Sequence, residues 1–398
     1  MKPFPKSLSN KLEQRIQSNS LRKLGFENSL IDFSSNDYLG FSKSETVFNE
    51  THQYLINNKI IQNGATGSRL LSGNHKVYLE SEKFIAEFHQ SESALIFNSG
   101  YDANVGFFSS VPQRGDFILY DELCHASIRD GISISNAKSY KFNHNDFEDL
   151  ERLINKSIPI PNTQNPITIY IVTESIFSMD GDAPNVEELV RLSEKYNCYL
   201  VIDEAHALGV FGNPIPNSRD SGGQGLVQYL NLQDKVFARI MTFGKGLGCH
   251  GAAIVGSSEL TDYLVNFSRS FIYTTGLSPH SVATILIGYQ HLDKDKSAIE
   301  KLRENIIHFN QQKNLLGMKP MFVRSKSAIQ SAIIPGNQQV KHIAQQFQEK
   351  GFDVKPILSP TVPEGQERLR FCLHSFNSTE EITEVLRLLS TFVFMGHR

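Results

Sequence analysis

Residues 236–257 read VFARIMTFGKGLGCHGAAIVGS, two apolar runs around a lysine set between glycines. The runs 236–243 and 252–255 have the length and composition of buried strands, so Gly244-Lys245-Gly246-Leu247-Gly248 is a tight connection between them. Glycines on both sides permit backbone conformations closed to other residues and let a bound molecule come close. A lysine held there and partly desolvated has a lowered pKa and becomes a nucleophile toward carbonyl carbon. A solvated lysine in a hairpin is the competing reading of these residues alone. Two motif readings fail. Gly246, Gly248 and Gly251 match G-x-G-x-x-G, but that fingerprint must open a helix and here a strand follows. A nucleotide-binding Walker lysine needs Ser or Thr after it and Gly five residues before it, whereas Gly246 and Ile240 stand there.

Outward from this stretch, 398 residues are enough to bury roughly three quarters of the unfolded surface and to form two or more units. A formal charge of −3 gives no electrostatic reason to expect nucleic acid or a membrane surface as partner. The four cysteines (Cys124, Cys198, Cys249, Cys372) form no C-x-x-C pair, which suits a reducing compartment, and a cytoplasmic location is expected. No signal-peptide core and no apolar run of membrane-span length occurs.

Along the chain, Leu8, Leu12, Ile16 and Leu21 predict an amphipathic helix over 6–24. A short strand over 30–33 and a turn at 36–40 lead into a helical stretch to about residue 59. The loop 64–75, GATGSRLLSGNH, suits close packing better than ligand contact. Strands are expected over 94–97, 117–120, 137–142, 167–173 and 199–202, separated by helices, together with the pair around Lys245. That alternation predicts an α/β layer with a central, mostly parallel sheet whose strand ends carry the ligand. Segments 155–166 and 212–225 read as surface loops. After about residue 279 a long helical region and a strand-helix-strand pattern predict a smaller α+β domain, ending in a strand over 369–373 and a helix over 380–389. The expected organisation is an N-terminal segment 1–44, a large domain 45–280 and a small domain 281–398.

Ser99, Gly100, Tyr101, His125, Ser178, Asp203, His206, Thr242 and Lys245 fall at the ends of these strands. Gly100-Tyr101 open a helix whose free N–H groups suit a phosphate. Asp203 ends an otherwise apolar strand, and a buried carboxylate there needs a charged or donating partner. Val201–His206 contains the DEAH tetrapeptide of helicases, but without a Walker loop that reading is excluded. Asp180-Gly181-Asp182 begins like a calcium loop, yet Asn185 and Arg191 occupy the glycine and glutamate positions. No metal site is expected.

From about residue 33 to 373 the chain resembles the α-oxoamine synthases, within the fold-type I pyridoxal-phosphate enzymes. The resemblance rests on NDYLG (36–40), GATGSRLLSGNH, LCHAS (123–127), ESIFSMDGD (174–182), VIDEAHALGVFG (201–212), TFGKGLG, SPTVP (359–363) and RLR (368–370), in order. The segments 182–185 and 374–377 depart from the family pattern, which bears on acyl recognition more than on the pyridoxal chemistry.

The resemblance implies that Lys245 anchors pyridoxal 5'-phosphate and serves as the catalytic base. It also implies that Asp203 pairs with the pyridine nitrogen, that His125 stacks on the ring, and that Ser178 and His206 reach its phenolic oxygen. Gly100, Tyr101 and Thr242 would hold the phosphate, joined by Thr274 and Thr275 from the second subunit of a homodimer. Arg370 would bind the amino-acid carboxylate, with Thr361 and Arg22 as further substrate contacts. The implied reaction is a decarboxylative condensation, of L-alanine with a pimeloyl thioester on coenzyme A or a carrier protein. A glycine or serine acyltransferase is the alternative within the family, and a non-catalytic partner subunit the alternative of another class.

Overall fold

The computed structural model describes residues 2–22, 24–25, 29–157, 167–212 and 222–394. Most of the two expected loops, 158–166 and 213–221, lies outside the described residues. The strands in chain order are β1 (Ile31–Asp32), β2 (Ser93–Phe97), β3 (Phe117–Asp121), β4 (Lys138–Phe142), β5 (Ile169–Glu174), β6 (Tyr199–Asp203), β7 (Ala238–Thr242), β8 (Ala252–Gly256), β9 (Ile329–Ile333), β10 (Phe352–Asp353), β11 (Lys355–Ile357) and β12 (Arg368–Cys372).

The larger unit comprises Asn36–Ser178 and Ala183–Leu302. Its seven-stranded sheet has the order β2-β8-β7-β6-β5-β3-β4, parallel except for β8, which runs antiparallel to both neighbours. Crossover helices bury both faces, and strands such as β5 and β7 are accordingly buried along almost their whole length. The α/β architecture therefore follows from the alternation of elements read in the sequence. Strand β7 and its antiparallel neighbour β8 are the two runs of residues 236–257, joined through Lys245. In the loop 64–75, Ala65 and Gly73 are buried and a Cβ on Gly73 would lie 2.2 Å from Gly67 O, while Leu70 and Leu71 are exposed. Arg69 is clamped by Glu82 at 2.5 and 2.9 Å and by Asn74, with its guanidinium 3.8 Å over the Tyr78 ring.

The smaller unit comprises Met1–Ser35, Met179–Asp182 and Arg303–Arg398. It holds an antiparallel sheet of order β11-β12-β9 and the short parallel pair β1-β10.

The structure draws the boundaries differently from 44/45 and 280/281, for reasons of pairing. Residues up to Ser35 join the smaller unit because β1 pairs with β10, Cys372 N–H donates to Phe33 O at 2.8 Å and Asn377 Nδ2 donates to Asp32 O at 3.1 Å. Met179–Asp182 joins it because Ser331 Oγ donates to Met179 O at 2.6 Å and Ser325 Oγ to Gly181 O at 2.7 Å. The helix Pro279–Lys294 stays with the larger unit, where His89 and Tyr289 are hydrogen-bonded at 3.0 Å in the core. The N-terminal helix spans only Lys6–Gln17, since the chain turns at Ser18 and Asn19 takes φ +50°.

Candidate active site

Strand β7 ends at Thr242 and the chain turns at once. Phe243 O accepts from Cys249 N at 2.9 Å and Lys245 O from Gly248 N at 2.8 Å. Gly248 has φ +64°, and a Cβ there would lie 2.3 Å from Ser42 N, so no other residue fits. The turn presents Lys245 half-buried, with Nζ 2.8 Å from His206 Nε2. His206 Nδ1 lies 2.7 Å from the Tyr38 hydroxyl, which makes Tyr38, Asn36 and His206 a relay reaching the amine.

Two carboxylates close adjacent strands. Asp203 ends β6 and Glu174 ends β5, and the two are register partners. Asp203 is 5 % exposed; Oδ1 accepts from Ala205 N at 2.9 Å and Oδ2 from Asn104 Nδ2 at 2.8 Å. Glu174 Oε1 accepts from His125 N at 2.5 Å, and burial, then the Asp203 charge, push its pKa up to about 8. His125 caps the helix Ala126–Ile134, its Nδ1 2.7 Å from Ser127 Oγ. Burial, then the Lys245 charge, lower its pKa, so the ring is neutral near pH 7. The second residue of the DEAH tetrapeptide, Glu204, is fully buried and caps the helix Leu226–Tyr229 through Leu226 N and Val227 N at 2.7 and 3.2 Å. A helix cap, not nucleotide chemistry, explains it.

The third part of the site is the start of the helix Gly100–Ser110. Ser99 Oγ accepts from Asp102 N at 3.0 Å, while the N–H groups of Gly100 and Tyr101, in the first turn, have no intrahelical acceptor. A Cβ on Gly100 would lie 2.3 Å from Thr242 Oγ1, so glycine brings the threonine hydroxyl against the helix start. Tyr101 is half-exposed and donates to Asp130 at 2.7 Å. Just upstream, Asn98 Nδ2 donates to Thr274 Oγ1 at 3.0 Å and Thr275 O at 2.7 Å. Within one chain, Thr274 and Thr275 are thus tied to the Asn98 side chain. Ser178 follows β5, half-buried.

The substrate residues expected from the resemblance lie in the smaller unit. Arg370 is buried on β12 with a nitrogen 3.4 Å from Ser34 O. Thr361 follows the cis Ser359-Pro360 bond and donates its N–H to Leu358 O at 2.8 Å, and Arg22 is exposed. The calcium-like Asp180 is ion-paired with Arg368.

These residues fit pyridoxal phosphate by their donor set. A Cβ-free helix start beside a hydroxyl suits the phosphate, a buried carboxylate held as an acceptor suits a protonated pyridine nitrogen, and a lysine in a glycine turn suits the aldehyde. Sequence reasoning missed Tyr38, Asn104, Ser127 and Glu174. The signal for Glu174 was available, a carboxylate ending an apolar strand as Asp203 does; the others carry no local signal.

Glu174 has a measurable consequence. Its pKa is raised on folding, so the folded state holds a proton that the unfolded chain loses above about pH 4.5. Its stabilising contribution is complete below that pH and is lost as pH rises through about 8. Glu174→Gln, neutral throughout, is expected to remove this loss. The wild-type-minus-variant difference in unfolding free energy of the cofactor-free protein should fall between pH 5 and 8 by up to about 1.4 kcal/mol per pH unit. Urea titrations at each pH test it, and a pH-independent difference contradicts it.

Known proteins resemble this chain over most of its length. The family model described as aminotransferase class I and II matches residues 28–389. An 8-amino-7-oxononanoate synthase from Emericella nidulans is 39% identical over 405 residues, 97% of this chain and 95% of that protein. The crystal structure of 8-amino-7-oxononanoate synthase from Francisella tularensis superposes with a TM-score of 0.75 at 26% identity, covering 94% of this chain and 100% of that one. Serine palmitoyltransferase from Sphingomonas wittichii superposes with a TM-score of 0.84 at 25% identity, over 97% and 96% of the two chains. The chain belongs to the aminotransferase class I and II family, as a fold-type I pyridoxal-phosphate acyltransferase similar to the 8-amino-7-oxononanoate synthases.

Proposed function

We propose that the protein condenses L-alanine with a pimeloyl thioester, releasing CO2 and the free thiol and giving 8-amino-7-oxononanoate for biotin synthesis. The observation that carries this reading is likeness over 97% of the chain to a protein named for that product, in a chain that keeps Lys245, Asp203 and His125.

Pyridoxal phosphate supplies an electron sink for the electrons of the Cα–H and Cα–carboxylate bonds. Lys245 would anchor it, and the Lys245 amine would take the Cα proton and return one. His206, 2.8 Å from that amine, orients it, and with Ser178 it would reach the phenolic oxygen. Asp203 keeps the pyridine nitrogen protonated. His125 would face the ring, where its imidazole, with its pKa lowered by burial, would add no charge to oppose a pyridinium. The Gly100 and Tyr101 N–H groups and Thr242 hold the phosphate, with Thr274 and Thr275 of the second subunit in a homodimer. Arg370 pairs with the alanine carboxylate, and Thr361 and Arg22 contact substrate. No described helix is long and apolar enough to cross a membrane, and the four cysteines are free.

The higher TM-score against serine palmitoyltransferase favours a second reading, serine with a long-chain acyl thioester. The test measures ketone product with L-alanine, glycine and L-serine, each against pimeloyl, acetyl and palmitoyl thioesters. L-alanine with pimeloyl thioester should give the highest kcat/KM. Glycine, lacking one methyl, should be processed roughly 10 to 200 times less well. Arg370→Ala should raise KM for alanine far more than for the thioester, since a charge-assisted pair is lost. If serine with palmitoyl thioester, or glycine with acetyl thioester, is best, the first reading fails.

A further inference from the structure

Asn104 has no role in the account above, yet it lies between the two groups that would flank the pyridine ring. It is 2 % exposed, on the inner side of the helix Gly100–Ser110. Its Nδ2 is 2.8 Å from Asp203 Oδ2 and 3.1 Å from Ser127 Oγ. Ser127 Oγ is in turn 2.7 Å from His125 Nδ1, and Ser127 N–H points at the same nitrogen from 3.2 Å.

The protons can be counted along this chain. An amide nitrogen has two hydrogens, one for Asp203 and one for Ser127 Oγ. Ser127 Oγ, now an acceptor, keeps its own hydrogen to give to His125 Nδ1. That nitrogen therefore accepts from both the hydroxyl and the backbone, and the ring proton of neutral His125 sits on Nε2. Asp203 receives N–H donors on both oxygens, from Ala205 and Asn104. Asn104 Oδ1 has no hydrogen-bond partner among the described residues. Burying an amide with its oxygen unmatched is unfavourable, and an apolar side chain of the same size would fill the space without that penalty. What the amide adds is its two hydrogens.

We propose that Asn104 is a positioning residue that orients the Asp203 carboxylate and, through Ser127, holds His125 as the neutral Nε2–H tautomer. This rests on the reading of Asp203 and His125 as the groups beside and above the pyridine ring. Other charged groups facing the pair are Glu174, whose carboxyl binds His125 N–H, and Lys245, Arg129 and Asp130.

The informative substitution is Asn104→Asp, which keeps the shape but places an acceptor where two donors stood. Asp203 and the new carboxyl then share a proton, and the charge at the pyridine nitrogen falls. In the cofactor-loaded protein, kcat per bound cofactor should drop roughly 10- to 100-fold with KM for alanine changed less than about threefold. The pH midpoint of the cofactor's visible absorbance should move, and nitrogen-15 NMR of histidine-labelled, cofactor-free protein should show His125 leaving the Nε2–H tautomer, its signal assigned by its loss in His125→Asn. Asn104→Leu, which removes the donors without adding charge, covers the case in which the acid does not fold, and should give the same direction on all three readouts. Unchanged kcat, midpoint and tautomer in a folded variant overturn the proposal. Asp203→Asn separates the two levels. If it too leaves the absorbance titration unchanged, the reading of Asp203 itself is wrong; if it alone shifts the titration, only the role of Asn104 is lost.

Discussion

Lys245→Ala is expected to lower turnover by at least about a thousandfold, because in the proposed reaction one side chain would both anchor the cofactor and move the substrate proton. A positioned base alone is worth roughly 10² to 10⁴ in rate, and loss of the anchor adds to that. The fold should survive. The turn is held by backbone hydrogen bonds that alanine keeps, Gly248 N–H to Lys245 O at 2.8 Å and Cys249 N–H to Phe243 O at 2.9 Å. The main local change is at His206, whose Nε2 loses its partner at 2.8 Å. Borohydride treatment of the wild type should fix the cofactor to the peptide containing Lys245, with loss of the visible absorbance. An adduct on any other lysine, or residual turnover above about one per cent in a homogeneous variant, would remove Lys245 from this role.

Asp203→Asn is expected to reduce turnover by roughly two to four orders of magnitude. A neutral amide cannot hold a proton on the pyridine nitrogen, and each pKa unit of lost stabilisation is about 1.4 kcal/mol, a factor of ten in rate. A structural effect accompanies it. Both Asp203 oxygens accept N–H groups, from Ala205 at 2.9 Å and Asn104 at 2.8 Å, so the amide introduced there turns one donor toward another. That mismatch is worth about 1 to 3 kcal/mol of stability, short of unfolding a domain of this size. Kinetics should therefore be compared per folded, cofactor-loaded site. Exchange of the alanine α-proton at near wild-type rate in such a protein would contradict the role of Asp203.

Much of the site was legible because its chemistry sits at strand ends, and apolar strands are easy to read. Asp203 stood out as the charge closing YLVID, and Lys245 as the cation between two glycine-flanked runs. Glu174 closes IYIVTE in the same way and was passed over, since only register shows that it stands beside Asp203 and binds His125 N–H. Asn104 and Ser127 have no such mark. Each is a small polar residue inside a helix, and what distinguishes them is the partner, 99 residues away for Asn104 and Asp203.

The amino-acid sequence by itself determined the α/β class, the strand positions, the turn that presents Lys245 and the helix start at Gly100, because hydrophobic period, glycine placement and capping act over a few residues. Only the tertiary structure decided the unit boundaries and the protonation network. Residues up to Ser35 join the smaller unit through strand pairing with residues more than 300 positions away, as in Ile31 with Phe352. The antiparallel place of β8 between β2 and β7, and the line Asp203-Asn104-Ser127-His125, likewise depend on long-range register. Such pairings are chosen by the packing of the whole sheet and its helices, and no local window of sequence contains that information.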